Sequence, residues 1–264
     1  QENQSWEKAL ITAWRKFNHG KLLGLNNGFV RFWDTRFFDD YTNIQNSSSL
    51  NQPLPDFTIL TDPSSWFEYV NSGYPESKLI KAETIRYFDL CLKNKKNIKK
   101  ENIINDSEKI KGIVLGDIVK KTTNDMIKCI ENTHNQKNYL WDFKAHPANN
   151  VNLKSYKNIN ITNLEGDLKN IISNYSIVIA PAATLSVLEA YISNIKIVIF
   201  LDNDEINLGP LFKLKDGVNT VSNYQEMNEA IDKRNLNKGF NRNDLFWFNE
   251  DMRLWSRILK SDYQ

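Results

Sequence analysis

Between residues 111 and 234 the chain repeats one pattern: a short run of β-branched and aromatic residues, a turn, then an amphipathic segment. KGIVLGD (111–117), NYLWDFKAHP (138–147), NINIT (158–162), YSIVIAP (175–181) and KIVIFLD (196–202) read as strands. NDMIKCIENT (124–133), LEGDLKNIISN (164–174), ATLSVLEAYISN (183–194) and NYQEMNEAIDKR (223–234) read as the helices between and after them. Strands joined through helices run parallel, because a parallel pair needs a crossover. The pattern predicts an α/β fold, a Rossmann-like parallel sheet with helices on both faces.

The flanks differ. Trp6, Ala9, Leu10, Ala13, Trp14 and Phe17 recur at helical spacing and predict a helix that buries this stripe. KLLGL (21–25) reads as a short strand, followed by the loop Asn26-Asn27-Gly28 and the aromatic stretch FVRFWDTRFF. The Ser-, Asn- and Pro-rich segment 41–56 has no periodicity and marks a boundary. The sequence therefore divides into residues 1–50, too short to be a domain alone; 51–239, the Rossmann-like domain; and 240–264, a broadly helical stretch that needs an apolar surface to dock on. Within 51–239, FTIL (57–60) and KLIKAE (78–83) are further strands around a helix at 64–73, and the Lys/Asn-rich run 94–111 is a solvated connection. The opening QENQSWEKAL has no basic and apolar signal region, and the chain reads as a segment of a longer one.

Lys and Arg number 34 against 32 Asp and Glu. That balance gives no bulk attraction to nucleic acid, so an anionic ligand has to be held locally. Cys91 and Cys129 are far apart and lack CxxC spacing, which argues against a disulfide framework or a zinc site and for a cytoplasmic location. Pro181, Glu189, Asn194 and Lys196 interrupt the longest apolar run (177–201), so no transmembrane segment is expected.

In open α/β sheets ligands bind outside the carboxyl ends of the strands. Three such ends carry suitable chemistry. Gly116-Asp117 joins a residue without a side chain to a carboxylate, which serves a ligand's close approach or a simple capping turn. In FKAHPANN, Lys144 and His146 would share a side if the strand persisted, and Pro147 would stop the strand there. An ammonium and an imidazole together suit phosphate. Pro181, Thr184 and Ser186 lie in a turn of small residues opening a helix, where free amides and hydroxyls make an anion site or a cap. Glu189 inside that helix faces solvent or accepts from ribose hydroxyls. Asn207 and Gly209, in the loop after the next strand, could reach the same cleft. No GxGxxG or GxxxxGK[ST] motif occurs, against a standard dinucleotide site or P-loop.

A strand ending in His146-Pro147, then a strand, a small-residue turn and a helix carrying Glu189-Ala190, resembles the donor domain of GT-B glycosyltransferases, chiefly the sialyltransferase-like and Kdo-transferase-like enzymes of bacterial surface carbohydrates. The resemblance spans about residues 55–235, and it implies that residues 1–50 are the remnant of an N-terminal domain and that 240–264 form a C-terminal helix packing back on that N-terminal part. It implies that His146 contacts the nucleotide phosphate, that amides around Thr184 bind phosphate, and that Glu189 lies near the ribose. It further implies a CMP- or UDP-sugar donor, a glycan or lipid-linked glycan acceptor, no cofactor beyond the donor and no metal, with peripheral attachment to the inner membrane face. Similar enzymes place a histidine in the loop at 26–31, where this sequence has Asn27. No catalytic residue is assigned; Asp34 reads as a structural partner of Arg31 or Arg36. A UDP-sugar epimerase of the same architecture and a non-catalytic nucleotide-sugar-binding module are the rival readings.

Overall fold

The computed structural model describes residues 3–31, 33–37, 53–97, 109–134, 138–212, 218–232 and 245–260. In chain order the elements are α1 (Ser5–Lys16), β1 (Leu23–Leu25), β2 (Phe57–Leu60), α2 (Pro63–Asn71), β3 (Leu79–Lys81), α3 (Phe88–Asn97), β4 (Ile110–Leu115), α4 (Lys120–Glu131), β5 (Tyr139–Lys144), β6 (Ile161–Asn163), α5 (Leu168–Ile171), β7 (Ile177–Pro181), α6 (Val187–Ile192), β8 (Lys196–Phe200), β9 (Val218–Val221), α7 (Tyr224–Asp232) and α8 (Arg253–Lys260). They form two compact units, one of residues 1–92 with 241–264 and one of residues 93–240.

The division falls at residue 92, not near 50, because β2 and β3 pair with β1 in a three-stranded parallel sheet of order β1-β2-β3. Strand propensity identified these segments, but only pairing decides which sheet owns them. Asp62 caps α2 by accepting from the Ser65 amide at 2.6 Å, and Pro63 opens the helix where its missing N–H costs nothing. Ser65 Oγ in turn accepts from the Val30 amide, tying the 26–31 loop to α2. The buried carboxylate of Glu83 accepts from the amides of Leu254 (2.8 Å) and Trp255 (3.1 Å), which anchors the start of α8 in this unit. Asp34 is held by both Arg31 (3.1 Å) and Arg36 (2.7 Å), and the two guanidinium groups outweigh burial to hold its carboxyl below the usual range.

The helix predicted at the N-terminus forms, with the opposite orientation. Ile11 is its buried residue, whereas Trp6 and Phe17 are each 66% exposed and Leu10 53%. Apolar spacing defines a face; it does not supply the surface that covers it. The helix is held instead by polar contacts such as the Asn3 amide donating to the Arg36 carbonyl (3.0 Å) and by the packing of Ile11.

The second unit is a six-stranded parallel sheet of order β6-β5-β4-β7-β8-β9. Its edge strand β9, VNTV, was not read as a strand from the sequence: three of its four residues are β-branched, but the run is short and Asn219 interrupts it. On one face Met126, Ile127 and Ile130 of α4 and Met227, Ala230 and Ile231 of α7 pack on Trp141, Phe143, Ile179, Val198 and Phe200. The helix α6 packs on β7 and β8 without entering that cluster, so it covers the other face. Gly112 of β4 pairs directly with Trp141 of β5, and a Cβ there would fall 2.2 Å from the indole, so only glycine accommodates the ring. From β4 the chain proceeds outward through β5 and β6, and from β7 it proceeds the other way through β8 and β9. The carboxyl ends of β4 and β7 therefore form a topological switch point, where a crevice opens.

Candidate functional site

The residues predicted at strand ends do gather at this switch point, but they are organised differently. Gly116 follows β4, and its amide donates to the Lys144 carbonyl at 2.8 Å. A Cβ on Gly116 would meet the His146 amide nitrogen at 3.0 Å and the Phe143 ring at 3.2 Å. The glycine thus lets the exits of β4 and β5 close on each other. Asp117 is buried; its Oδ1 accepts from the Val119 amide and its own N–H donates to Thr123 Oγ1, both at 2.8 Å. It forms the turn into α4, the simpler of the two sequence readings.

The strand does not persist through Lys144 and His146. It ends at Lys144, whose ammonium donates to the Gly166 carbonyl at 2.7 Å and braces the loop after β6. Lys144 and His146 are therefore not a matched pair, because the chain turns at residues 145–148 once the ladder ends. His146 is half-buried, and its Nδ1 accepts from the Ala148 amide at 3.2 Å. An accepting Nδ1 leaves the proton on Nε2, so the neutral imidazole offers a donor on its other side. Pro147 is exposed at the tip of the turn. Asn149, missed in the sequence, closes it: its amide side chain donates to the Asp117 carbonyl (3.0 Å) and its N–H to the His146 carbonyl (2.9 Å). The Asn-Asn pair after Pro147 was the available signal.

On the β7 side, Pro181 is the last strand residue, and residues 182–186 are turns. The helix α6 starts only at Val187, with Ser186 preceding it. The expected row of free amides at Thr184 is not formed there: the Thr184 amide bonds the Pro181 carbonyl (3.4 Å), and the Ser186 amide bonds Thr184 Oγ1 (3.3 Å). Small side chains and the threonine hydroxyl favour such local turns over an early helix start. Thr184 and Ser186 remain half-buried at the edge of the switch point. Glu189 sits in the first turn of α6 and is 7% exposed, which rules out the solvent-facing reading. Asn207 Oδ1 accepts from the Gly209 amide at 2.8 Å, and both line a recess of about 230 Å³ with Ala182.

The exits of β4 and β5 thus carry an imidazole with a directed donor, and the neighbouring β7 leads through a turn of small residues to the buried carboxylate of Glu189. Among the described residues no group of three or more His, Cys, Asp or Glu is placed to hold a metal, and no helix is long and apolar enough to cross a membrane.

No family model matches the chain, and no curated protein matches it. Solved structures are similar. The Staphylococcus aureus MnaA–UDP co-structure matches with a TM-score of 0.55 at 13% identity, over 87% of this chain and 65% of its own. The UDP-N-acetylglucosamine 2-epimerase of Rickettsia bellii matches at 0.54 and 13%, over 88% and 62%. A Listeria monocytogenes protein provisionally named UDP-N-acetylglucosamine 2-epimerase matches at 0.58 and 10%, over 96% and 70%. The fold is of the GT-B type. This chain accounts for about two thirds of the length of these GT-B structures, and at these identities the likeness is one of fold.

Proposed function

We propose that the unit of residues 93–240 binds a nucleotide-linked sugar, UDP-linked in the first instance and CMP-linked as the alternative donor, and that the protein transfers the sugar to a glycan or lipid-linked glycan acceptor. The observation that carries this reading is the bonded set of strand exits at the β4/β7 switch point, with His146 held as an Nε2–H donor by Ala148. That donor serves a phosphate oxygen of the leaving nucleotide, and the buried Glu189 accepts from ribose hydroxyls. In transfer, the acceptor hydroxyl oxygen bonds to the anomeric carbon, the bond from that carbon to the phosphate oxygen breaks, and the hydroxyl proton passes to a base. Work on surface glycans would put the protein in the cytoplasm, at the inner face of the membrane.

Calorimetry with UDP, CMP and GDP tests the reading. UDP or CMP is expected to bind, and His146→Ala to weaken it. Absence of binding by all three nucleotides, or an affinity unchanged by the substitution, would sink the assigned site.

A second reading has its own support, since the similar folds named above include UDP-N-acetylglucosamine 2-epimerases. Incubation with UDP-GlcNAc and no acceptor separates the two: an equilibrium between C2 epimers of the UDP-sugar favours the epimerase, and acceptor-dependent release of the nucleotide favours the transferase.

A further inference from the structure

The loop leaving β8 is held by the helix that follows β4, two strands away in the sheet. Lys121 of α4 pairs with Asp202, and its ammonium also lies 3.3 Å from Asp125 and 3.9 Å from Asp204. The next residue, Thr122, is fully buried and donates its hydroxyl to the Glu205 carboxylate. Both anchors act on one turn, because the Glu205 amide donates to the Asp202 carbonyl (3.0 Å) and the Asp204 amide to Asp202 Oδ1 (3.2 Å). The hydrogen bonds that Lys121 donates to Asp202 and Asp125 push its ammonium's pKa up, and the one to Asp202 pulls that carboxyl's pKa down.

Just beyond the turn, the Asn207–Gly209 bend lies beside the exit of β7 and lines one recess with Ala182. A Cβ on Gly209 would lie 2.9 Å from Asn207 Oδ1 and 3.6 Å from the Ala182 carbonyl. Since β7 lies between β4 and β8, the loop spans the mouth of the candidate site to reach α4. Three carboxylates in such a loop would repel a diphosphate if they turned toward it. The contacts to α4 engage two of them, and the third lies beside the same ammonium.

We propose that Lys121 and Thr122 are positioning residues that clasp the acidic loop to α4, so that the Asn207–Gly209 bend forms the wall of the site that receives the sugar of a nucleotide-sugar. This rests on the nucleotide-sugar reading above. The recess between the bend, Ala182, Leu211 and Thr220 is the space so defined. The clasp acts on the sugar end and leaves the nucleotide's own contacts at His146 and Glu189 in place.

The test combines Lys121→Ala with Thr122→Val and has two readouts. Hydrogen exchange at the amides of Glu205 and Gly209 is expected to quicken about tenfold. By calorimetry, UDP should bind within about twofold of the unaltered protein while UDP-GlcNAc binds about tenfold more weakly, and the Lys121→Arg, Thr122→Ser pair should restore both readouts. Unchanged exchange would overturn the clasp. Faster exchange with UDP and UDP-GlcNAc weakened equally, or with neither weakened, would overturn the positioning role alone. Failure of the unaltered protein to bind either ligand would instead overturn the functional reading, and the ligand-positioning role with it, whatever the exchange shows.

Discussion

The main-chain N–H of Ala148 donates to Nδ1 of His146 at 3.2 Å, so a residue two positions downstream fixes which imidazole nitrogen carries the proton. The Nε2–H is then a donor prepared before any ligand arrives, and a prepared donor spends less of its hydrogen-bond energy on ordering.

His146→Ala removes that donor. A hydrogen bond to a charged phosphate oxygen contributes about 1.5–3 kcal/mol, so UDP affinity should fall at least about tenfold. Titration calorimetry of the two proteins at one pH and salt concentration measures it, and thermal melting of the pair should differ little because His146 is only half-buried.

Asn149→Ala should reduce the same affinity more mildly. It deletes the 3.0 Å bond that ties the His146 turn to the Asp117 carbonyl, worth about 1 kcal/mol, without removing any group assigned to the ligand. An Asn149→Ala protein that binds UDP as weakly as His146→Ala would mean that Asn149 itself touches the nucleotide.

The pairing of Gly112 with Trp141 predicts a steep packing cost. An alanine methyl 2.2 Å from the indole forces the ring or the strand to move, which costs about 2–3 kcal/mol. Trp141→Phe should relieve part of it, since the smaller ring vacates the contested space and removes a buried indole N–H that has no partner among the described residues. Urea denaturation of the two single variants and the double variant gives the coupling energy, expected to be at least about 1 kcal/mol.

Asp62 makes the fold's stability depend on pH. Burial pushes its carboxyl up to about 7, against the hydrogen bonds from Ser65 that favour the anion. The folded state therefore holds a proton that the unfolded chain releases above about pH 4. The stabilisation is complete below that pH and is lost as pH rises toward 7, in total on the order of 4 kcal/mol. Asp62→Asn keeps an oxygen to cap α2 but does not titrate, so its stability should be flatter from pH 4 to 7. Melting temperatures across that range check the sign, and a parent protein that gains stability there relative to Asp62→Asn would refute it.

Exposed and buried apolar positions in and just after α1 should respond unequally. Leu10→Lys and Phe17→Lys alter exposed side chains and should change stability by less than about 0.5 kcal/mol, whereas Ile11→Ala should cost about 2 kcal/mol or more. Equal costs at both, by denaturant titration, would show that the exposed stripe is covered in solution.

The sequence alone was enough to identify most strands and helices of the larger unit, their parallel sense, and the positions near residues 116, 144 and 181 where three strands end. Those features are local: alternation of apolar runs, turn formers and small residues is written within a dozen neighbours. Tertiary structure decided the rest. Strand order placed β4 beside β7 and made their ends one crevice. Contacts across 22 and 32 residues turned Lys144 to Gly166 and Asn149 to Asp117, and no spacing rule anticipates them. The burial of Glu189 and the exposure of Trp6 and Phe17 likewise depend on what packs opposite each helix. Periodicity states which residues share a face; only the folded neighbours determine whether that face meets core, ligand or water.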